Sequence, residues 1–88
     1  MSWPRNEPEL ERLFVIEFTD ADDAVVRLLT PFVVQGCRVT GLNLGTSPEG
    51  RRLTAKATGL DPDRSEHLRL RLEALPIVRG VGLGWWTG

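Results

Sequence analysis

The residues able to do chemistry are few and scattered. His67 is the only histidine and Cys37 the only cysteine. One imidazole with no second histidine or cysteine beside it in sequence makes neither a metal site nor a nucleophile–base pair, so His67 reads as a surface residue. Cys37 follows a glycine and reads as a small buried hydrophobe rather than a reactive thiol. Asp20, Asp22 and Asp23 form the one local cluster of like charge. Such a cluster can hold a divalent cation together with backbone oxygens. It can equally cap a helix and sit against the positive end of its dipole, which needs no ligand. Trp85 and Trp86 stand together near the C-terminal end. Paired tryptophans suit a protein interface, where large rigid surface is buried at low entropic cost, and they suit equally a cap on the domain's own sheet edge. No residue set has the spacing of a catalytic site, so no catalytic residue, metal or cofactor is expected.

The bulk numbers narrow the choice further. Eighty-eight residues make one domain, with 41% apolar and 26% charged residues and a net charge of −1. That charge is wrong for a phosphate-binding surface, so a nucleic-acid partner is not expected. Of the eleven basic residues only Lys56 is a lysine. One cysteine makes no internal disulfide, no apolar run approaches a bilayer span, and residues 1–9 lack the apolar core of a signal peptide. The expectation is a cytoplasmic chain with no membrane partner.

These residues need elements to position them. Residues 1–9 carry two prolines and read as a flexible arm, leaving 10–88 as the domain. Leu10 to Phe18 reads as a strand apolar on both faces: Leu13 and Val15 on one, Phe14, Ile16 and Phe18 on the other. A helix follows, capped by Asp20 or Asp22, with Val25, Leu28, Leu29, Phe32 and Val33 as its apolar stripe. Pro31 predicts a kink or break, and Gly36 the stop. Arg38 to Leu44 is a second strand whose alternation slips at Gly41, which predicts a bulge. A turn at 46–50 leads to a third strand, Arg52 to Thr58. Asp61-Pro62 opens a second helix with a cap and a proline in its first turn. Leu68, Leu72 and Leu75 are its seam, Leu70 and Ala74 adding to it, and Pro76 stops it. Ile77 to Val81 is the last strand.

The order strand–helix–strand–strand–helix–strand, with right-handed crossovers, predicts a ferredoxin-like α+β sandwich: an antiparallel four-stranded sheet with two helices on one face. Helices on one face leave the other open. Because the first strand is apolar on both sides, a second copy, or another domain, is expected to cover the open face, with Phe14, Ile16, Phe18, Trp85 and Trp86 as interface residues.

On Arg27, Phe32, Gly36, Val39 and Leu42, then Leu53, Thr54, Gly59, Leu72, Leu75, Val78 and Val81, the chain resembles the ACT domain family. Those are small βαββαβ modules that regulate amino-acid metabolism. The resemblance runs from Leu13 to Val81 and is nearest to the regulatory small subunit of acetolactate synthase. It implies a non-enzymatic regulatory module, a homodimer joined through the sheet edge or the helices, and a catalytic-subunit partner. It also implies a small-molecule ligand, usually an amino acid, at the dimer interface. The implied contacts are Asp20, Asp22, Asp23, Ala24, Val39 and Leu42. Amino-acid-binding members carry a glycine near the position of Asp23, where a carboxylate meets backbone N–H groups. Three aspartates there would repel a carboxylate, so a cation or an amine-bearing ligand is expected instead. The ending Leu75 to Val81, followed by tryptophan, is similar to the cytoplasmic C-terminal domain of a magnesium-transport-associated membrane protein family. An RNA-recognition module shares the element order, but the third strand lacks the aromatics on which bases stack. Gln35 to Arg38 resembles an acylphosphatase phosphate loop, yet it follows the first helix instead of preceding it.

Overall fold

In the computed structural model, which describes residues 11–48 and 50–86, the first strand β1 (Glu11–Phe18) is central. After it come helix α1 (Ala24–Gln35), β2 (Arg38–Ser47), β3 (Gly50–Thr58), helix α2 (Pro62–Glu73) and β4 (Val78–Trp86). The sheet order is β2-β3-β1-β4, and every neighbouring pair is antiparallel. This is the ferredoxin-like sandwich expected from the element order. The N-terminal arm lies outside the described residues.

Period-two alternation on β1 decides what the sheet buries. Phe14, Ile16 and Phe18 face the helices and are fully buried. Leu53, Ala55 and Ala57 of β3 lie beside them, and Ala24, Leu28, Phe32, Leu68 and Leu72 close over them from α1 and α2. Phe14 and Phe32 meet edge to face, ring centroids 5.1 Å apart and planes at 81°. Leu70, assigned to the seam of α2 by its apolar character, is about half exposed; it stands two residues from both Leu68 and Leu72, about 200° around the helix, which turns it outward.

Local chemistry sets the ends of the helices. Gly36 takes a left-handed conformation (φ 75°) and its N–H bonds to the Val33 carbonyl, ending α1. The Asp61 carboxylate accepts from the Arg64 N–H at 2.7 Å with Pro62 in the first turn, and α2 begins there. The start of α1 differs from the expectation. Asp23 is the N-cap residue, not Asp20 or Asp22, and it makes no side-chain capping bond. Its carboxylate is taken by Arg27, one turn on, at 2.9 Å. The helix runs unbroken through Pro31.

The strand slip lies where alternation fails. β2 and β3 change register between Val39 and Gly41, so Thr40 is the extra residue. The bulge returns Val39, Leu42 and Leu44 to one face, opposite Ala57, Ala55 and Leu53. β4 is longer than expected. It continues through Gly82 and Gly84 to pair Trp85 with Arg12 and Trp86 with Glu11.

Candidate functional site

The acidic loop sits beyond the end of β1, held by the Thr19 N–H donating to the Ile77 carbonyl at 2.8 Å. Asp20 pairs with Arg51 at 3.4 Å and Asp23 with Arg27 at 2.9 Å, Arg51 half-buried and the other three largely exposed. These are surface ion pairs, each worth about 0–1 kcal/mol. Among the described residues no group of three or more His, Cys, Asp or Glu stands close enough to hold a metal ion. Ala24 is buried in the core and presents nothing to a ligand.

The ligand contacts inferred from resemblance do not converge within one protomer. Asp20, Asp22 and Asp23 follow Phe18, which pairs with Arg51. Val39 lies opposite Ala57, level with Arg12. Six residues of strand separate the two levels, roughly 20 Å. Leu42, opposite Ala55 and level with Phe14, is four residues away, roughly 13 Å.

The interface residues expected on β1 are also displaced. Phe14, Ile16 and Phe18 form the protomer's own core beneath the helices and are not available to a neighbour. The parity was legible, but which parity faces the helices was not, because both are apolar. The helix-free face carries only Leu13 and Val15 as large apolar residues of β1, each half-buried. Lys56 stands opposite Leu13 and Thr54 opposite Val15 on β3, and Gly84 and Gly82 opposite them on β4. Two half-covered side chains do not require a second layer. The backbones of Trp85 and Trp86 belong to β4; their role as interface residues lies outside the described side chains.

Exposed apolar surface gathers elsewhere. β2 is an outer strand of ten residues, and Leu42 (49% exposed) and Leu44 (42%) show on its helix side. On α1, Val26, Leu29 and Val33 fall at i, i+3 and i+7, one stripe; Val26 and Val33 are well exposed. Arg38, at its first position, is the one charged residue of β2.

A second feature lies on the helix-free face near the hairpin turn. A cleft of about 400 Å³ is lined by Glu17, Ser47, Pro48, Arg52, Arg79 and Gly80. The strand registers assemble it: Glu17 lies opposite Arg52 on β3 and Gly80 on β4. Arg52 Nε donates to Glu17 Oε2 at 2.5 Å. That bond, then hydrogen bonding from Ser47 and the charges of Arg52 and Arg79, holds the Glu17 carboxyl below the usual carboxylate range against partial desolvation. Sequence reasoning missed this set, because residues 17, 47, 52 and 79 meet only through the sheet. The available signal was a glutamate interrupting the apolar run from Leu13 to Phe18.

Cys37 is half-buried, its thiol donates to the Phe32 carbonyl at 3.3 Å, and burial pushes its pKa up. It is a packing residue. No described helix is long and apolar enough to cross a membrane.

Comparison with known proteins finds likeness in structure and none in sequence. No protein-family model matches the chain, and no curated protein matches it significantly. The ACT domain of GTP pyrophosphokinase from Chlorobium tepidum superposes with a TM-score of 0.71 at 10% identity, over 88% of this chain and 99% of that one. The C-terminal domain of the MgtC protein from Mycobacterium tuberculosis superposes with a TM-score of 0.64 at 20% identity, over 92% and 88%. At these identities the likeness is one of fold.

Proposed function

We propose that this chain, having the fold of an ACT domain, is a non-catalytic regulatory module that works as a homodimer joined along the outer edge of β2. The observation that carries the reading is the exposure of Leu42 and Leu44 on that edge, beside the Val26–Leu29–Val33 stripe of α1. A long outer strand is an open template for pairing, and proteins that keep it single guard it with lysines, prolines or short length. β2 carries no lysine or proline, and beyond the bulge at Thr40 it keeps a regular edge from Gly41 to Ser47. Burying a leucine is worth about 1.5–3 kcal/mol when complete, so two from each copy give a real driving force beyond the main-chain bonds. A right-handed crossover carries α1 to the β2 side of the sheet, so its apolar stripe would meet the same neighbour.

The finer reading is a regulator of an enzyme of amino-acid metabolism. It is supported by the sequence resemblance to the acetolactate synthase regulatory subunit at Arg27, Phe32, Gly36, Val39 and Leu42. The structural likeness to the ACT domain of GTP pyrophosphokinase is compatible with that general role. Within this reading a ligand at the acidic loop would be shared between two copies, since one protomer does not bring Asp20 and Val39 together.

Sedimentation velocity tests the pairing. The wild-type chain should run as a dimer at micromolar concentration. Leu42→Lys with Leu44→Lys should run as a monomer with an unchanged circular dichroism spectrum, because both side chains are surface. A wild-type chain that stays monomeric at the highest soluble concentration would refute the reading.

A further inference from the structure

We propose that the chain's own N-terminal arm folds back over the helix-free face of the sheet and sets Trp3 on Leu13 and Val15, a strap that closes this face without a second copy. The contact stands apart from the β2 edge and does not depend on whether the chain pairs with itself.

The size of the uncovered surface is the first ground. Leu13 and Val15 are the large apolar residues of β1 on this face, each half-buried. A stable interface between two proteins takes about 800 Å² from each partner, far more than two half-covered side chains offer. One tryptophan buries about 150–250 Å², the scale of what they leave open. Trp3 is the one aromatic residue of the arm. Shape is the second ground. Opposite Leu13, Val15 and Glu17, the β4 residues on the same face are Gly84, Gly82 and Gly80. None of the three has a positive φ, so the backbone does not demand glycine there. Among the described residues, a Cβ on Gly84 or Gly80 would meet nothing within 4 Å, and one on Gly82 would meet only Val15, at 3.9 Å. Glycine inside a strand, where the backbone does not require it, leaves room for another group to approach closely. The result is a flat shelf beside Leu13 and Val15 on which a planar ring fits. The entry of the chain is the third ground. β1 begins at Glu11, so the arm reaches the sheet beside this shelf. The helix side is shut there, since Arg12, which faces the helices, is only 4% exposed. Pro8 has the fixed φ that suits the second position of a turn. Five residues lead out from Leu13 to Pro8 and five lead back to Trp3, so a reversal at Pro8 sets Trp3 level with Leu13 and Gly84.

The test uses the whole chain, with 15N-labelled indoles and 13C-labelled Leu and Val methyls, and reads nuclear Overhauser contacts. The Trp3 indole should contact the Leu13 and Val15 methyls. It should do so equally in the wild type and in Leu42→Lys with Leu44→Lys, which keeps the outcome separate from pairing along β2. Trp3→Ser alters nothing within residues 11–86. It should erase the contacts and move those methyl signals, while the Phe14 and Phe32 ring signals stay in place. Gly84→Val should fill the shelf and displace Trp3, whereas Gly45→Val, on β2, should leave it where it is. A sample mixing labelled and unlabelled chains shows whose arm is bound, and the contacts should lie within one chain. Contacts found only between chains overturn the proposal. So does a Trp3 indole with no contact to Leu13 or Val15, or Trp85 or Trp86 found in its place. Contacts of Trp3 that persist unchanged in Gly84→Val overturn it as well.

Discussion

The guanidinium of Arg64, the third residue of α2, donates to the main-chain carbonyl of Gln35, the last residue of α1. It also donates to the Gly59 carbonyl at 3.1 Å. The last carbonyls of a helix have no partner within it, and Arg64 supplies one from the neighbouring helix. It also brings positive charge to the negative end of α1. One side chain thus ties the two helices together at the end where both connect to the sheet.

Arg64→Ala should therefore destabilise the fold by about 1–2 kcal/mol in urea denaturation, since it removes two charge-assisted bonds at a partly buried site. Arg64→Lys should recover only part of this, because an ammonium lacks the fork that reaches two carbonyls. Asp61→Ala removes a different bond, the cap of α2, and should cost about 1 kcal/mol.

The turn glycine makes a second contrast. Gly50 has φ 156°, and a Cβ there would stand 2.6 Å from the Phe18 carbonyl oxygen, a main-chain atom. Gly50→Ala should cost about 1–3 kcal/mol, since neither side of that contact can swing away. Gly45, across the same hairpin, has nothing within 4 Å of its would-be Cβ. Gly45→Ala should change stability little. Equal effects from the two variants would remove the close approach as the cause.

Phe32→Ala should be the most damaging single truncation. It empties the space beneath α1 and deletes the edge-to-face contact with Phe14. The expected cost is about 3–5 kcal/mol. A domain of this size has roughly 5–10 kcal/mol in total, so the variant should be partly unfolded at body temperature by circular dichroism.

Glu17 offers a pH readout. Its folded-state pKa is depressed, chiefly by the hydrogen bond from Arg52. A depressed carboxyl contributes stability that is present above its unfolded pKa and is lost as pH falls through its folded pKa. Carboxyl NMR should show Glu17 titrating below an ordinary glutamate. In Arg52→Gln the titration should move up toward the ordinary range. No change between the two proteins would mean that Arg52 is not the cause.

Much of the fold was legible where one residue type has one physical use. Gly36, Asp61 with Pro62, and the slip at Gly41 each marked an end or a bulge, and each is found there. The length of β4 was not legible. Gly80, Gly82 and Gly84 weaken a strand by their own propensity, and only pairing with β1 holds them extended. The start of α1 was blurred because three aspartates compete for one cap, and Arg27 takes the carboxylate that sits there. The site was the least legible part. Resemblance grouped Asp20 with Val39, whereas strand register sets them at opposite ends of the sheet. The same register brings Glu17, Arg52 and Arg79 together from three separate strands.

The kink at Thr40 has a further consequence for the rim on which it lies. A regular ladder can continue past the kink only if an incoming strand carries a matching extra residue. Its usable length is therefore the stretch from Gly41 to Ser47. The opposite rim, β4, has no such residue at the matching place, its irregularity falling instead beside Phe18. Unlike rims do not favour head-to-tail stacking of many copies, whereas two like rims meeting about a two-fold axis close on themselves. A bend of one residue thus bears on whether copies stop at a pair or grow into a filament.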